Sequence, residues 1–237
     1  MKPYELPHSL SSSITPLRLD KLQAEAARYA VLRRLSPSLR HHLIRPLQPI
    51  TLIYGVLSHK LSEPIPDVEG IKTQADKIND FAKDALVQCL DMSSWLAPEP
   101  GVLTELGAGV RECIGLLATT LHFRGFLLIN QIDEMAQNVN RDAVRMVLNA
   151  ALLEITDALT EPAVITLNAS CLGDEVKLSL EVNLREEGRV EQYDDGYRKL
   201  LWSDVQALAS FEGVSLSRHV NCVTIGFAIE PAAPAAA

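Results

Sequence analysis

The sequence predicts a two-domain chain, an N-terminal α-helical hairpin followed by an α/β (α+β) sandwich. In the first hundred residues, apolar side chains recur at steps of three and four, which is the spacing of a helix that packs on one side. After the segment Pro98–Gly101, runs typical of strands alternate with helical stretches. Helices on one side of a mixed sheet form an α+β sandwich.

The first helical region extends from Leu19 to about Lys60. Its apolar stripe consists of Leu32, Leu35, Leu39, Leu43, Leu47, Ile50, Tyr54, Leu57 and Leu61. Ser36-Pro37 interrupts this stripe and predicts a fresh helical start, because proline suits the first turn of a helix. Pro46 and Pro49 each remove a hydrogen-bond donor, so we expect a kink there.

A turn at residues 62–67 (SEPIPD) leads to a second helix from Val68 to about Leu96. Two long helices joined by a short turn form an antiparallel hairpin, here assigned to residues 18–97. One hairpin leaves its apolar stripe half covered, whereas two hairpins related by a two-fold axis close a four-helix bundle. We therefore expect a homodimer. Residues 1–17, with three prolines and four serines, are predicted to be a flexible leader.

The second domain is assigned to residues 101–230. Its predicted helices are Leu103–Thr120, Val139–Leu159, which begins near a cap at Asn140 or Asp142, and Ser203–Phe211. Its predicted strands are Gly125–Ile132, Ala163–Ser170 and Glu175–Leu184, followed by a closing hairpin of Val214–Leu216 and Val220–Ile229. Residues 231–237 (PAAPAAA) are predicted to be a disordered tail.

Composition excludes several classes of function. The formal net charge is −8, which argues against a nucleic-acid partner. The most apolar window, residues 113–129, is interrupted by His122 and Arg124, so no membrane span is expected. The four cysteines form no CxxC pair, which favours buried thiols in a reducing cytoplasm over a metal site.

The segment Ser38–Ile50 (SLRHHLIRPLQPI) carries the most informative pattern in the chain. At about 100° per residue, His41 points away from the apolar stripe, while His42 lies closer to it. An exposed imidazole with a free ring nitrogen is what phosphoryl transfer to histidine requires. The simpler alternative is that both histidines are ordinary residues of a solvated helix face.

This segment resembles the H-box of sensor histidine kinases, in which the phosphorylated histidine is followed by an acidic residue, Leu, two variable residues, Pro and Leu. His41 would be the phosphoacceptor, with Leu43, Pro46 and Leu47 at the matching positions. Two positions depart from the pattern: His42 replaces the acidic residue, and Arg45 replaces the Thr or Asn used for dephosphorylation. Arg45 would contact a phosphoryl group or an acidic partner instead.

Residues 101–230 resemble the ATP-binding domain of the same kinases, an α/β sandwich of the Bergerat type. The resemblance places Glu154 at the asparagine that chelates Mg²⁺, and Asn149 one residue away from the preceding asparagine of the family. The two glycine boxes are absent, since their positions read Val182–Gly188 (VNLREEG) and Gln192–Trp202 (QYDDGYRKLLW). The resemblance therefore implies a degenerate domain without bound ATP or another cofactor. Mg²⁺ would enter only through a partner.

The combination is similar to ChpT-like histidine phosphotransferases. It implies a phosphorelay in which His41 carries phosphate between the aspartates of response regulator receiver domains, with a hybrid histidine kinase as a further partner. The alternative is a non-catalytic pseudokinase that binds and inhibits or scaffolds a histidine kinase or response regulator. An ATP-dependent kinase is disfavoured by the missing glycine boxes.

Overall fold

The computed structural model describes residues 16–97, 99–132, 135–191 and 196–231. Positions 1–15 of the predicted leader and positions 232–237 of the predicted tail lie outside these residues. The leader prediction is wrong at Pro16 and Leu17, which belong to the first helix. No helix in the described ranges is both long enough and apolar enough to cross a membrane.

Three helices form the N-terminal region: α1 (Pro16–Ile44), α2 (Leu47–Leu61) and α3 (Val68–Leu96). The turn at residues 62–67 lies between α2 and α3, and these two helices form the predicted antiparallel hairpin. Asp67 caps α3 by accepting a hydrogen bond of 3.0 Å from the backbone N–H of Gly70. Its carboxylate also lies 3.0 Å from the Lys60 ammonium, which ties the two ends of the turn together.

The predicted fresh start at Ser36-Pro37 is wrong, because α1 continues through Pro37. Proline cannot donate to the carbonyl four residues earlier, which is that of Arg33. The Ser36 hydroxyl donates to this carbonyl instead, at 2.9 Å. The helix is interrupted later, between Ile44 and Leu47, where Pro46 precedes α2. Pro49 lies in the first turn of α2, where a missing N–H costs no intrahelical bond.

A mixed sheet with helices on one side follows, as predicted. Its elements are β1 (Leu103–Glu105), α4 (Leu106–Phe123), β2 (Phe126–Asn130), β3 (Asn138–Asn140), α5 (Arg141–Ala143), a π-helical turn (Val144–Leu148), α6 (Asn149–Ala158), β4 (Ala163–Leu172), β5 (Glu175–Leu184), α7 (Trp202–Glu212), β6 (Ser215–His219) and β7 (Cys222–Ala228). The main sheet has the order β2-β4-β5-β7-β6, and a two-stranded sheet joins β1 to β3. Only β2 and β4 pair in parallel within the main sheet.

One face of the main sheet carries the hydrophobic core. Alternate residues of its three central strands are buried against the helices: Ala163, Ile165, Leu167, Val176, Leu178, Leu180, Val223, Ile225 and Phe227. The alternate positions are polar and half-exposed on most of β4 and β5. The fold class is therefore a helical N-terminal region followed by a mixed α/β domain.

The middle of α1, from Ala24 to Leu39, belongs to this core. Its buried side chains are Ala24, Ala27, Ala30, Val31, Leu35 and Leu39, and they pack against α4, α6 and α7. By contrast, α2 has no buried residue. The predicted boundary between residues 18–97 and 101–230 stays a prediction, but the two regions share one continuous core.

Two predicted helices begin later in the chain than the sequence pattern indicated. Leu103–Glu105 is a short strand paired with Asn138–Asn140, and α4 and α5 start directly after these strands. The predicted cap at Asn140 is confirmed, since its side chain accepts hydrogen bonds from the N–H groups of Asp142 and Ala143. Gly109 allows a close approach, because a Cβ there would lie 3.1 Å from a methyl carbon of Val144.

The cysteines only partly match their prediction. All four are free thiols, but only Cys113 is buried; Cys222 is half-buried, and Cys89 and Cys171 are exposed. In the described residues, no group of three or more histidine, cysteine or acidic side chains is arranged to hold a metal ion.

Candidate phosphoacceptor site

His41 lies in the last turn of α1, just beyond the part of the helix that joins the core. Leu39 is the last buried residue of α1, with 6% of its surface exposed. His41 follows two positions later, about 160° away around the helix, and its side chain is exposed. The helix therefore presents the His41 imidazole to solvent while its preceding turns are held by the core.

His42 lies about 100° further around the helix, closer to the apolar stripe, and its side chain is exposed as well. It lines a cleft between α1, α3 and α4 together with Asp91, Trp95 and Glu112. It also lines a second cleft of about 460 Å³ with Arg45, Pro46 and Asp84. The two imidazole rings meet edge to face, with centroids 6.4 Å apart and planes inclined by 68°. Carboxylates therefore line the clefts beside His42, although the residue directly after His41 in the sequence is not acidic.

Arg45 occupies the break between α1 and α2. Its backbone N–H still donates to the His41 carbonyl at 3.0 Å, so the helical path continues for one residue past Ile44. Pro46, which has no N–H, then ends that path. The Arg45 side chain is exposed, so its guanidinium is available beside the His41 turn.

A run of basic residues, which no motif indicates, lies on α1 and α2 around His41. Between Glu25 and Glu63 the sequence has no acidic residue but six basic ones: Arg28, Arg33, Arg34, Arg40, Arg45 and Lys60. Arg28, Arg34 and Lys60 are paired with carboxylates, so the positive charge beside His41 comes mainly from Arg33, Arg40 and Arg45, in a chain whose net charge is −8. Counting acidic residues along the chain would have revealed it.

An ion-paired triad attaches α1 to the α/β domain just before His41. Asp157 of α6 accepts two hydrogen bonds from Arg34, of 2.8 and 3.0 Å, and one of 3.0 Å from Arg124. Burial alone would raise the pKa of Asp157, but the hydrogen bonds and charges of the two arginines outweigh burial and leave the pKa below its ordinary value. Arg28, which precedes Arg34 on α1, forms a further ion pair with Glu212 of α7.

The end of α3 is attached through Arg145 on the π-helical turn. Its guanidinium has a side-chain exposure of only 2% and pairs with Glu112 of α4 and with Asp91 of α3, the latter at 2.7 Å. It also donates to the Ser94 hydroxyl at 2.8 Å and lies 4.5 Å from the ring centroid of Trp95. π-helical turns are rare and occur frequently at functional sites, and this one carries the buried Arg145. The sequence pattern gave no indication of it.

The residues that the resemblance assigns to nucleotide binding have other contacts. Glu154 is 6% exposed and accepts a hydrogen bond of 2.8 Å from Arg218, which neutralises its charge. Asn149 is fully buried and donates to the Arg145 carbonyl at 2.7 Å. In the segment that replaces the second glycine box, residues 192–195 lie outside the described part. Beyond it, Arg33 stacks on Tyr197 at 4.5 Å, and Leu200 is buried.

No protein-family profile matches the sequence, and no curated protein is similar to it in sequence. Among solved structures, it is similar to the Acinetobacter baumannii histidine kinase AdeS, at 12% identity over 81% of this chain and 98% of that one, with a TM-score of 0.43. It is similar to histidine kinase ThkA in complex with response regulator TrrA, at 15% identity over 92% and 67%, with a TM-score of 0.40. A bacterial phosphotransferase matches at 14% identity over 94% and 100%, with a TM-score of 0.34. All three are distant likenesses.

Proposed function

We propose that this chain is a histidine phosphotransferase of a two-component phosphorelay, similar to the ChpT-like enzymes, with His41 as the phosphoacceptor. The exposure of the His41 imidazole at the end of a helix otherwise fixed in the core carries this proposal. The H-box-like spacing to Leu43, Pro46 and Leu47 supports the same residue.

The proposed reaction moves a phosphoryl group between proteins. A neutral ring nitrogen of His41 attacks the phosphorus of a receiver's aspartyl phosphate in line, the P–N bond forms, and the P–O bond to the aspartate breaks. The aspartate leaves as a carboxylate, and the reverse step delivers the phosphoryl group to a second receiver. Because acyl phosphates and phosphohistidine are both reactive, the protein needs only to position the two groups. Mg²⁺ would be held by the receiver.

The contacts of the α/β domain support a protein donor over ATP. The carboxylate at the magnesium-chelating position, that of Glu154, is paired with Arg218. Backbone N–H groups in a glycine-rich loop normally hold nucleotide phosphates, and the sequence has no such loop after β5. We therefore propose that the domain is a degenerate ATP-binding domain that has kept its fold and lost its nucleotide.

The proposed enzyme works as a homodimer. On α2, Leu47, Tyr54 and Leu61 are 48%, 63% and 56% exposed. At about 100° per residue they lie on one side of the hairpin, and the small and apolar residues Ala75, Ala82 and Leu86 of α3 lie on that same side. A second hairpin packed there would bury both stripes in a four-helix bundle.

A non-catalytic regulator is the second candidate. The observation that favours it is the absence of an acidic residue after His41, where His42 stands. Such a protein would bind a histidine kinase or a receiver and inhibit or scaffold it, without carrying phosphate.

Incubation with a radiolabelled, phosphorylated receiver domain separates the two functions. Phosphotransfer predicts that label appears on this chain and that it is labile in acid but stable in base, as expected for a phosphorus–nitrogen bond. The label should be lost in His41→Ala and kept in His42→Ala. A chain that binds the receiver but takes no label is a non-catalytic regulator, and full labelling of His41→Ala would reject His41 as the acceptor.

A further inference from the structure

A cleft between α1 and α4 lies directly beside the His41 face. It has a volume of about 460 Å³ and is lined by Arg34, Pro37, Leu117, Thr120, Leu121, Phe123, Arg124, Leu153 and Glu191. We refer to it as the α1–α4 cleft. Its floor is apolar and belongs to the core, since Leu117, Leu121 and Leu153 are 2%, 0% and 3% exposed.

The rim of the α1–α4 cleft carries an exposed aromatic side chain. Phe123, the last residue of α4, is 74% exposed, and Pro37 of α1 is exposed on the opposite rim. Pro37 lies one helical turn before His41, about 6 Å along the axis and about 40° around it. A protein that reaches His41 would therefore also lie over this cleft.

The α1–α4 cleft is held next to His41, because ion pairs connect the residues that form its walls. Arg34 and Arg124 both line it and both bind the buried carboxylate of Asp157. Their side chains are 9% and 12% exposed, and that of Asp157 is 4% exposed. The apolar cleft on the α/β domain and the imidazole on α1 thus form one rigid surface.

The charge beside the cleft specifies the partner's chemistry. Arg33, Pro37, Arg40 and Ile44 are exposed and follow one another along α1 at helical spacing, next to His41. No acidic residue occurs on α1 after Glu25. The aspartyl phosphate that a receiver presents in the proposed reaction is negatively charged, and its sign is complementary to this stripe.

We propose that the α1–α4 cleft is a second anchor for the receiver, which inserts an apolar side chain between Pro37 and Phe123 while its acidic site meets His41. This inference rests on the proposed function and names the surface that positions the partner. It also gives the degenerate α/β domain a binding role. An apolar side chain seated in a pocket inside a polar rim is a common source of binding energy in protein interfaces.

The test compares two phosphoryl donors, a phosphorylated receiver domain that binds the wild-type chain and the small donor phosphoramidate. Phe123→Asp should lower the rate of transfer from a subsaturating receiver at least tenfold, because it places charge on the apolar rim. Phosphoramidate needs no docking surface, so labelling of His41 by it should be unchanged. Val220→Asp is the matched control. Val220 is 99% exposed in the turn between β6 and β7, and β6 forms one edge of the main sheet while β2, which follows Phe123, forms the other.

A second variant tests the charge argument. Arg40→Glu should weaken receiver binding measured by calorimetry and reduce its dependence on salt, whereas Lys72→Glu on α3 should do neither. Transfer from the receiver to Phe123→Asp within twofold of wild type would overturn the proposal, and so would an equal loss of labelling by phosphoramidate. If neither donor labels wild-type His41, the phosphotransfer proposal is wrong. The proposed second anchor is then supported if Phe123→Asp weakens receiver binding and rejected if it does not. If no receiver binds the wild-type chain, both proposals fail.

Discussion

Asp157 is the residue on which the attachment of α1 depends most. Its carboxylate accepts three hydrogen bonds from Arg34 and Arg124. The side chains of Asp157, Arg34 and Arg124 are all largely buried. Substitution with Asn keeps the shape but removes the charge, which leaves two buried guanidinium groups without their counter-ion. Breaking one partner of a buried ion pair costs about 3–5 kcal/mol. We expect Asp157→Asn to lower the free energy of unfolding in urea at pH 7 by about that much.

The pH dependence of this effect has a definite sign. The pKa of Asp157 is lower in the folded protein than its ordinary value, so its contribution to stability is present above about pH 4 and is lost as the pH falls through the folded pKa. The difference between wild type and Asp157→Asn should therefore shrink below about pH 4. Asp67→Asn is a suitable control, because the Asp67–Lys60 pair is exposed to solvent and asparagine still caps a helix, so this variant should change stability much less than Asp157→Asn does. A pH-independent loss in Asp157→Asn would contradict the assigned role.

Among single residues, the sequence reveals those whose setting depends on near neighbours in the chain, and the structure adds those paired with distant residues. The exposure of His41 was predictable because its information is local, in the helical angle to Leu39, while its role as phosphoacceptor stays a prediction. Asp157 and Arg34 are 123 positions apart in the chain. No periodicity or motif connects two such residues, so only the folded chain shows that they pair.

At the scale of elements, the end of α3 is attached mainly through Arg145 on the π-helical turn. Arg145→Lys keeps the charge but cannot reproduce the fork that binds Glu112, Asp91 and Ser94 together. We expect amide hydrogen exchange to become faster in residues 88–96 of α3, with much smaller changes in β4 and β5. Lys83→Met on the exposed side of α3 serves as the control. Unchanged exchange at the end of α3 would show that Trp95 alone holds it.

Helix and strand boundaries were predicted well where a single physical signal dominates. The turn at residues 62–67, the Asn140 cap and the long strands β4 and β5 follow from proline, capping and alternation. Pro37 misled the prediction because the Ser36 hydroxyl satisfies the carbonyl that proline leaves free. The π-helical turn lies within a mostly apolar segment interrupted by Arg145, and its change of helical period leaves no trace in the sequence pattern.

At the scale of the whole molecule, the structure links the two predicted domains more closely than the sequence indicated. The sequence places a boundary near Pro98, yet Ala27, Val31 and Leu35 of α1 are fully buried in the core of the α/β domain. The pattern correctly showed an apolar stripe on α1, but a stripe does not identify what covers it. Here the middle of α1 is covered by the α/β domain of the same chain. The stripes on the side of the α2–α3 hairpin are left for another copy.

The assembly is therefore predicted to depend on the α2–α3 hairpin alone. The chain should scatter light as a dimer of twice 26.0 kDa. Tyr54→Lys places charge on the apolar side of the hairpin, next to the stripe of Ala75, Ala82 and Leu86, and should give a monomer with unchanged helical content. Leu52 is 74% exposed on the other side of α2, where Lys77, Asp80 and Asp84 line the neighbouring cleft. Leu52→Lys should therefore remain a dimer; loss of the dimer in this variant, or its persistence in Tyr54→Lys, would place the two-fold interface elsewhere.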